Sequence, residues 1–171
     1  KKPLARYTAA RLGGPADFLY VAKESTDELA TVVMAAWTQG VPVRILGGGA
    51  NVLVSDKGVR GLVVINDVSE VVIGDWHGGR NVAATGGMGL TVLARKCQAH
   101  GLAGLEWAAS IPGTVGGAVV NNAGAHGGDI RANLKEAVLL EAEHGIHIME
   151  LGDLTYGYRT SVLKARVDRR F

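Results

Sequence analysis

The stretch that decides the fold is a short apolar run followed by a glycine loop, Val43-Arg44-Ile45-Leu46-Gly47-Gly48-Gly49-Ala50-Asn51-Val52-Leu53. The run Val43–Leu46 predicts a buried strand, and three glycines after a strand let the backbone approach a ligand closely. Successive N–H groups in such a loop can form an anion-binding nest. No Gly-Lys-Ser/Thr follows, and Val52 stands where the third glycine of a Rossmann fingerprint belongs. Taken alone, the loop is as well explained by a plain tight connection without a ligand.

Outward from this loop, the first third of the chain alternates strands with one helix. We expect strands at Asp17–Ala22, Asn51–Val54 and Leu62–Ile65. A helix begins at the capping-box pattern Ser25-x-x-Glu28 and ends at Gly40. The strands are continuously apolar, which is typical of a buried and partly parallel sheet.

The rest of the chain predicts a second α+β lobe. One helix is expected between Thr85 and Gly101, and a short buried helix over Gly113–Val120. Four strands are expected at Val71–Ile73, Asn81–Thr85, Glu136–Glu141 and Ile146–Glu150. We therefore predict lobes over residues 1–67 and 68–171, with the boundary near residues 66–69.

Composition narrows the classes of function. The 171 residues are 47% hydrophobic and 20% charged, with a net charge of +2. No apolar run approaches the roughly 20 residues of a membrane span, and the first residues lack the pattern of a signal peptide. Basic residues are scattered except in the tail at 166–170, so no nucleic-acid partner is expected. The single cysteine, Cys97, excludes disulfide frameworks within the chain and cysteine-based zinc sites, and we predict no metal site and a cytoplasmic protein.

A second glycine motif is Ser110-Ile111-Pro112-Gly113-Thr114-Val115-Gly116-Gly117-Ala118. Gly113 allows a turn, Thr114 can cap a helix, and Gly116-Gly117 permits tight packing. A helix N-terminus attracts phosphate through its unpaired N–H groups, although an ordinary capped helix entry explains the motif equally well. A pyrophosphate needs more donors than one loop offers, so two such loops favour a dinucleotide.

Two further motifs carry candidate ligand contacts. In Asn121-Asn122-Ala123-Gly124-Ala125-His126-Gly127-Gly128-Asp129, small residues could line a flat ring, and His126 is either a substrate contact or a loop histidine without a special role. In Tyr156-Gly157-Tyr158-Arg159-Thr160-Ser161, Arg159 could clamp a carboxylate, and the alternative is an ordinary surface arginine.

Taken together, these motifs resemble the UDP-N-acetylenolpyruvoylglucosamine reductase family of bacterial flavoenzymes. The resemblance rests on ordered blocks at Thr8–Ala16, Leu46–Leu53, Gly104–Ala108, Ile111–Ala118 and Asn122–Gly128, and on Tyr158-Arg159-x-Ser161-x-x-Lys164. It implies an α+β FAD-binding domain of the vanillyl-alcohol oxidase type, with two lobes that hold FAD.

The resemblance also implies the chemistry and the site. NADPH reduces non-covalently bound FAD, a hydride passes to the enolpyruvyl group of a UDP-sugar, and an arginine matching Arg159 stabilises the developing enolate. The implied substrate contacts are Tyr158, Arg159 and His126. The implied FAD contacts are Leu46, Gly47, Gly48, Gly49, Ala50, Asn51, Val52, Leu53, Ile111, Pro112, Gly113, Thr114, Gly116, Gly117, Asn122, Ala123 and Gly124.

The sequence departs from the family pattern in ways that limit these expectations. The family's proton-donating serine and its glutamate belong to a substrate-binding region that would follow Phe171, so we expect this chain to be inactive alone and to bind FAD weakly. Ala50, Asn121 and His126 replace a common serine, methionine and aromatic residue. Two alternatives stay open: the FAD domain of another oxidase or dehydrogenase of the same fold, and a non-catalytic nucleotide-binding module.

Overall fold

The structure is a computed structural model that describes residues 2–166, 170 and 171. Of the basic tail noted at 166–170, residues 167–169 lie outside the described part. The chain divides into two compact units, the first ending at Val68 and the second beginning at Ser69. Both units combine helices and strands, so the expected α+β class is confirmed.

The first unit is a three-stranded parallel sheet with one helix packed on it. Its strands are β1 (Ala16–Ala22), β2 (Val43–Leu46) and β3 (Val59–Asn66), in the order β1-β3-β2. Helix α1 (Thr26–Thr38) buries Val33 and Trp37. The central strand β3 is apolar on both sides because one face meets α1 and the other meets a core that includes Leu4.

The start of α1 follows its sequence signal. The Ser25 hydroxyl accepts a hydrogen bond from the Glu28 N–H at 3.0 Å, as expected of an N-cap. The Glu28 carboxylate accepts from the backbone N–H of Glu24 at 3.1 Å and from the Tyr20 hydroxyl. These bonds tie the helix start to strand β1, and the Tyr20 bond, with that of Glu24, lowers the pKa of Glu28.

The expectation of a strand at Asn51–Val54 is wrong. This segment makes no strand pairing and instead runs against the first residues of the chain. Gly13 approaches Val54 so closely that a Cβ on the glycine would lie 2.8 Å from the valine Cβ. The N–H of Gly14 donates to the carbonyl of Ser55 at 3.0 Å, so contacts with the chain start replace a ladder.

The second unit is built from hairpins and short helices. Strands β4 (Val71–Trp76) and β5 (Gly79–Ala84) form one antiparallel pair, β6 (Gly124–Ala125) and β7 (Gly128–Asp129) a second, and β8 (Glu136–Glu141) and β9 (Gly145–Glu150) a third. Its helices are α2 (Leu90–Ala99), α3 (Val115–Asn121) and α4 (Val162–Ala165). The two-residue strands β6 and β7 and helix α4 were not expected from the sequence.

The second unit holds two apolar cores. The larger one gathers buried residues from α2, α3 and α4 with Trp107 and Leu154. The smaller one packs Met88, Leu93 and Cys97 against the β4–β5 hairpin, and burial raises the pKa of the Cys97 thiol.

Candidate functional site

The loop after strand β2 is held in place by the first residues of the chain. Gly49 has a φ of 62°, and a Cβ there would lie 2.1 Å from the carbonyl oxygen of Tyr7. The Gly49 carbonyl also accepts from the N–H of Ala9 at 3.0 Å. Only glycine can adopt the left-handed conformation and also make this close contact. The fold therefore explains a glycine at position 49 without a ligand.

Gly47 and Gly48 have a different role, because they line a cavity of about 490 Å³ in the first unit. Their N–H groups donate to no other residue in the part of the chain that the structure describes. Leu46 instead packs into the core, and Leu53 is exposed. Of the predicted contacts at Leu46–Leu53, the structure brings Gly47 and Gly48 to the cavity.

The cavity is rich in positive charge. Arg6, Arg11 and Lys23 line it together with the two glycines, while Asp67 supplies one negative charge. Lys23 and Asp67 pair at 3.6 Å between Nζ and Oδ2. An excess of cations beside free backbone N–H groups favours a doubly charged anion such as a pyrophosphate. The same cavity has an apolar side at Val21 and Ile65, which suits the uncharged part of a nucleotide.

The sequence did not identify the cationic residues of this cavity. Arg6 lies in a 3-10 turn over Leu4–Tyr7 that no motif predicted. Arg11 was part of the block Thr8–Ala16, but no role followed from it. Its left-handed backbone, with a φ of 56°, is set by a turn in which the Arg11 N–H donates to Thr8. The unusual φ of an arginine has no signature in the sequence.

The second glycine motif opens helix α3, but with less free donor capacity than expected. Thr114 stands at the N-cap position as expected, but its side chain accepts no capping hydrogen bond. The N–H groups of Val115 and Gly116 donate to the carbonyls of Met88 and Gly86, both at 2.8 Å. Protein carbonyls therefore occupy two of the first donors of this helix.

The remaining parts of this motif behave as the sequence predicted. Gly113 makes the turn with a φ of 114°. Gly116 packs so tightly that a Cβ would lie 3.1 Å from the carbonyl oxygen of Gly86. Among the described residues, the N–H groups of Gly113, Thr114 and Gly117 have no hydrogen-bond acceptor. These three donors are what the loop Ile111–Gly117 offers to a ligand.

The third motif is largely structural. His126 and Gly127 form the exposed tip between β6 and β7, with φ values of 50° and 83°. Gly128 faces an indole ring, since a Cβ there would lie 2.4 Å from Cδ1 of Trp107. The side chain of Asn122 is buried and fully engaged within the protein. Small residues here are thus required by packing, and Ala123 and Gly124 offer a ligand only partly buried backbone.

The fourth motif presents Tyr158 and Arg159 to solvent. Gly157 and Thr160 exchange backbone hydrogen bonds at 3.1 and 3.3 Å, so that Tyr158 and Arg159 form a two-residue tip. The Arg159 guanidinium carbon lies 5.8 Å from the centre of the Tyr158 ring. No ion pair within the described residues involves Arg159. Its charge is therefore available to an external anion.

No group of three or more His, Cys, Asp or Glu side chains that could hold a metal ion occurs in residues 2–166, 170 and 171. No helix in the same part of the chain is both long and apolar enough to cross a membrane.

Comparison with known proteins gives a consistent result. The UDP-N-acetylenolpyruvoylglucosamine reductase 2 of Symbiobacterium thermophilum is 39% identical over 165 residues, which are 95% of this chain and 52% of that protein. The corresponding reductase of Rubrobacter xylanophilus is 44% identical over 162 residues, 95% of this chain and 53% of its own length. These names confirm the resemblance inferred from the motifs. The chain spans about half the length of the curated relatives it matches.

A solved structure agrees with these relatives. The crystal structure of UDP-N-acetylenolpyruvylglucosamine reductase from Thermus caldophilus matches with a TM-score of 0.70 and 32% identity, covering 94% of this chain and 55% of that one. The family profile described as FAD binding domain matches residues 19–145. This match covers most of the chain and both glycine motifs, and the chain belongs to the FAD binding domain family.

Proposed function

We propose that this chain is the FAD-binding part of a UDP-N-acetylenolpyruvoylglucosamine reductase. The observation that carries the proposal is the cavity of the first unit, where unpaired N–H groups at Gly47 and Gly48 meet Arg6, Arg11 and Lys23. Relatives of that name at 39% and 44% identity over 95% of the chain support it. We further propose a fold of the vanillyl-alcohol oxidase type and a cytoplasmic location.

The residues present fit a dinucleotide. In the first unit, the two glycine N–H groups and the cations would hold the pyrophosphate of FAD, since a nest of N–H groups beside guanidinium groups stabilises such charge. In the second unit, the free N–H groups of the loop Ile111–Gly117 and the backbone of Ala123 and Gly124 are the proposed contacts. When bound, FAD would supply hydride transfer from NADPH to the enolpyruvyl group of the UDP-sugar.

Arg159 is the residue proposed to act on the substrate. Its guanidinium is exposed, bears no carboxylate partner in the described chain and stands at a two-residue tip. A planar cation there would bind the substrate carboxylate and stabilise the negative charge that develops on it during reduction. Tyr158, which is 91% exposed, would contact the same substrate, and so would His126.

Flavin binding by this chain tests the proposal directly. FAD fluorescence is titrated with the protein at several salt concentrations. We expect saturable binding that weakens as salt rises, because phosphate contacts with arginine and lysine are screened. The double variant Arg6→Gln with Arg11→Gln should bind about tenfold or more weakly, which corresponds to about 1.4 kcal/mol.

Lys57→Gln is the matched control, since Lys57 is an exposed cation of the same unit that does not line the cavity. It should bind FAD as the parent chain does. The proposal fails if FAD does not bind at millimolar concentration. Unchanged binding by the double arginine variant would instead show that the pyrophosphate lies elsewhere.

A further inference from the structure

The Tyr158–Arg159 tip is carried by residues 156–157 and 160–161, which we call the stem. The stem is hydrogen-bonded to the end of helix α3. The hydroxyl of Tyr156 donates to the carbonyl of Val119 at 2.8 Å, and the hydroxyl of Ser161 donates to that of Val120 at 2.6 Å. Carbonyls in the last turn of a helix lack N–H donors within the helix. The two segments of the stem therefore complete the hydrogen bonding of α3, while α3 holds them in position.

Tyr156 and Ser161 are both buried, which strengthens this attachment. Tyr156 is 9% and Ser161 2% exposed. Burial, with a smaller effect of the nearby Asp129 carboxylate, raises the pKa of Tyr156, so the phenol keeps its donor proton beyond the pH at which an ordinary tyrosine ionises. Buried hydroxyls that satisfy buried carbonyls are costly to displace.

Asn122 makes a third hydrogen bond between the end of α3 and the stem. It is the C-terminal cap of α3, is 4% exposed and has a left-handed backbone with a φ of 45°. Its side-chain N–H₂ donates to the carbonyl of Gly157 at 3.0 Å and to Oδ2 of Asp129 at 3.1 Å. Its Oδ1 accepts from the N–H of Arg131 at 3.1 Å, which fixes the orientation of the amide.

The Asp129 carboxylate is itself held in place. Its Oδ1 accepts from the N–H of Ala132 at 3.0 Å, leaving Oδ2 for Asn122. One amide thus joins three segments of the second unit: the end of α3, the turn at residues 129–132 and the stem of the arginine tip. No other side chain in the described chain donates to the Gly157 carbonyl.

We propose that Asn122 is a positioning residue for Arg159. The proposal rests on the function proposed above for Arg159. The bond from Asn122 fixes the backbone at Gly157, two residues before the arginine, and the Nζ of Lys164 donates to the Arg159 carbonyl at 2.8 Å from the other side of the tip. The backbone sets the position from which an exposed and long side chain reaches, and a displacement of about 1 Å at a reacting group can cost on the order of 100-fold in rate. The amide of Asn122 would therefore act on catalysis without touching the substrate.

The Asn122→Gly variant separates this role from the backbone requirement. Glycine adopts the left-handed conformation without strain, so the helix cap survives while all three side-chain hydrogen bonds are lost. Asn121→Ala is the matched control. Asn121 is the preceding residue, and its amide donates to the Gly117 carbonyl within α3 at 2.8 Å without reaching the stem.

The first measurement is amide hydrogen exchange on this chain. In Asn122→Gly, exchange at Gly157 and Thr160, whose N–H groups bond across the stem, should accelerate about tenfold or more. Exchange at Val115 and Gly116, at the start of α3, should change less than twofold. Equal acceleration at all four positions, or none at the stem, would overturn the proposal.

The second measurement uses the complete reductase that carries this segment and separates its two half-reactions. In Asn122→Gly, reduction of FAD by NADPH should stay within twofold, while reduction of the enolpyruvyl substrate should slow about 10- to 100-fold at saturating substrate. Asn121→Ala should leave both rates within twofold. If Asn122→Gly does not fold, Asp129→Asn weakens the same contact from its other end and should give a smaller change of the same selectivity.

Arg159→Gln distinguishes the two proposals. If it abolishes substrate reduction while Asn122→Gly leaves that rate unchanged, Arg159 keeps its role and the positioning role of Asn122 is refuted. If Arg159→Gln itself reduces substrate at the parent rate, the proposed role of Arg159 fails, and with it the positioning of that role by Asn122.

Discussion

The substitution Gly49→Ala tests how the glycine loop is built. The added Cβ would lie 2.1 Å from the Tyr7 carbonyl oxygen and 2.8 Å from the Cα of Thr8. Both neighbours are backbone atoms, so no side chain can turn aside to relieve the overlap. The loop or the chain start must move by about 1 Å, and overpacking of this kind costs about 1–3 kcal/mol.

A second cost comes from the backbone conformation. Gly49 has a φ of 62°, and a left-handed residue with a Cβ costs roughly 1–2 kcal/mol. The sum for Gly49→Ala is therefore about 2–5 kcal/mol. Gly40→Ala isolates the conformational part, because Gly40 has a φ of 70° in the same unit but nothing within 4 Å of the added Cβ.

The assay is urea denaturation of the two variants and the parent chain, followed by tryptophan fluorescence, to which Trp37 of the first unit contributes. Gly49→Ala should be less stable than Gly40→Ala by about 1–3 kcal/mol, the cost of the overlap alone. Its affinity for FAD should also fall, since Gly47 and Gly48 move with the loop. Equal stability of the two variants would refute the close contact between the loop and the chain start.

Three further outcomes follow from the structure. Ser25→Ala should lower the free energy of unfolding by about 1 kcal/mol, because the Ser25 hydroxyl caps α1. Thr114→Ala removes no capping bond and should change the free energy of unfolding by less than half as much in the same denaturation assay. Leu154→Ala should cost about 2–5 kcal/mol, since this core residue is 0% exposed, and a thermal shift near zero would contradict the packing. Glu28 has a lowered pKa in the folded chain, so its contribution is present above the ordinary value of 4.5 and is lost as pH falls below it. The difference in melting temperature between the parent chain and Glu28→Gln should shrink in acid, and a difference that grows there would contradict the shift.

Elements with strong local signals could be predicted from the sequence. The capping residues of α1 and the apolar run of β8, at Glu136–Glu141, act over a few neighbouring residues, and the structure has both the helix and the strand. The parallel character of the first sheet followed from strands that are apolar on both faces, as β3 is.

The errors arose where distant contacts decide the local structure. The apolar run Asn51–Val54 resembles a strand, but the approach of Gly13 and Gly14 leaves it no ladder to join. At the start of α3, the carbonyls of Met88 and Gly86 take the N–H groups of Val115 and Gly116, and the hydroxyl of Thr114 makes no capping bond. Neither competitor is adjacent in sequence.

The glycines of the candidate site could be predicted from the sequence. Its cationic residues and the side chain that holds the arginine tip could not. The repeated glycines signal a backbone approach on their own, and Gly47 and Gly48 do line the cavity. Arg6 and Arg11 reach it only because the chain start folds over the loop. The amide of Asn122 meets the Gly157 carbonyl across 35 residues, and no local pattern encodes such a contact.

The strand order of the first unit governs when that unit can fold. Strands β1 and β2 pair only with β3 among the described residues, and β3 is the last of the three in the chain. A growing polypeptide therefore exposes two unpaired strands until residues 59–66 have left the ribosome. Helix α1, with its own cap, is the element able to form earlier. Because both other strands pair with β3, the sheet cannot form before β3 is available, and its assembly is a late step that depends on pairing between distant parts of the chain.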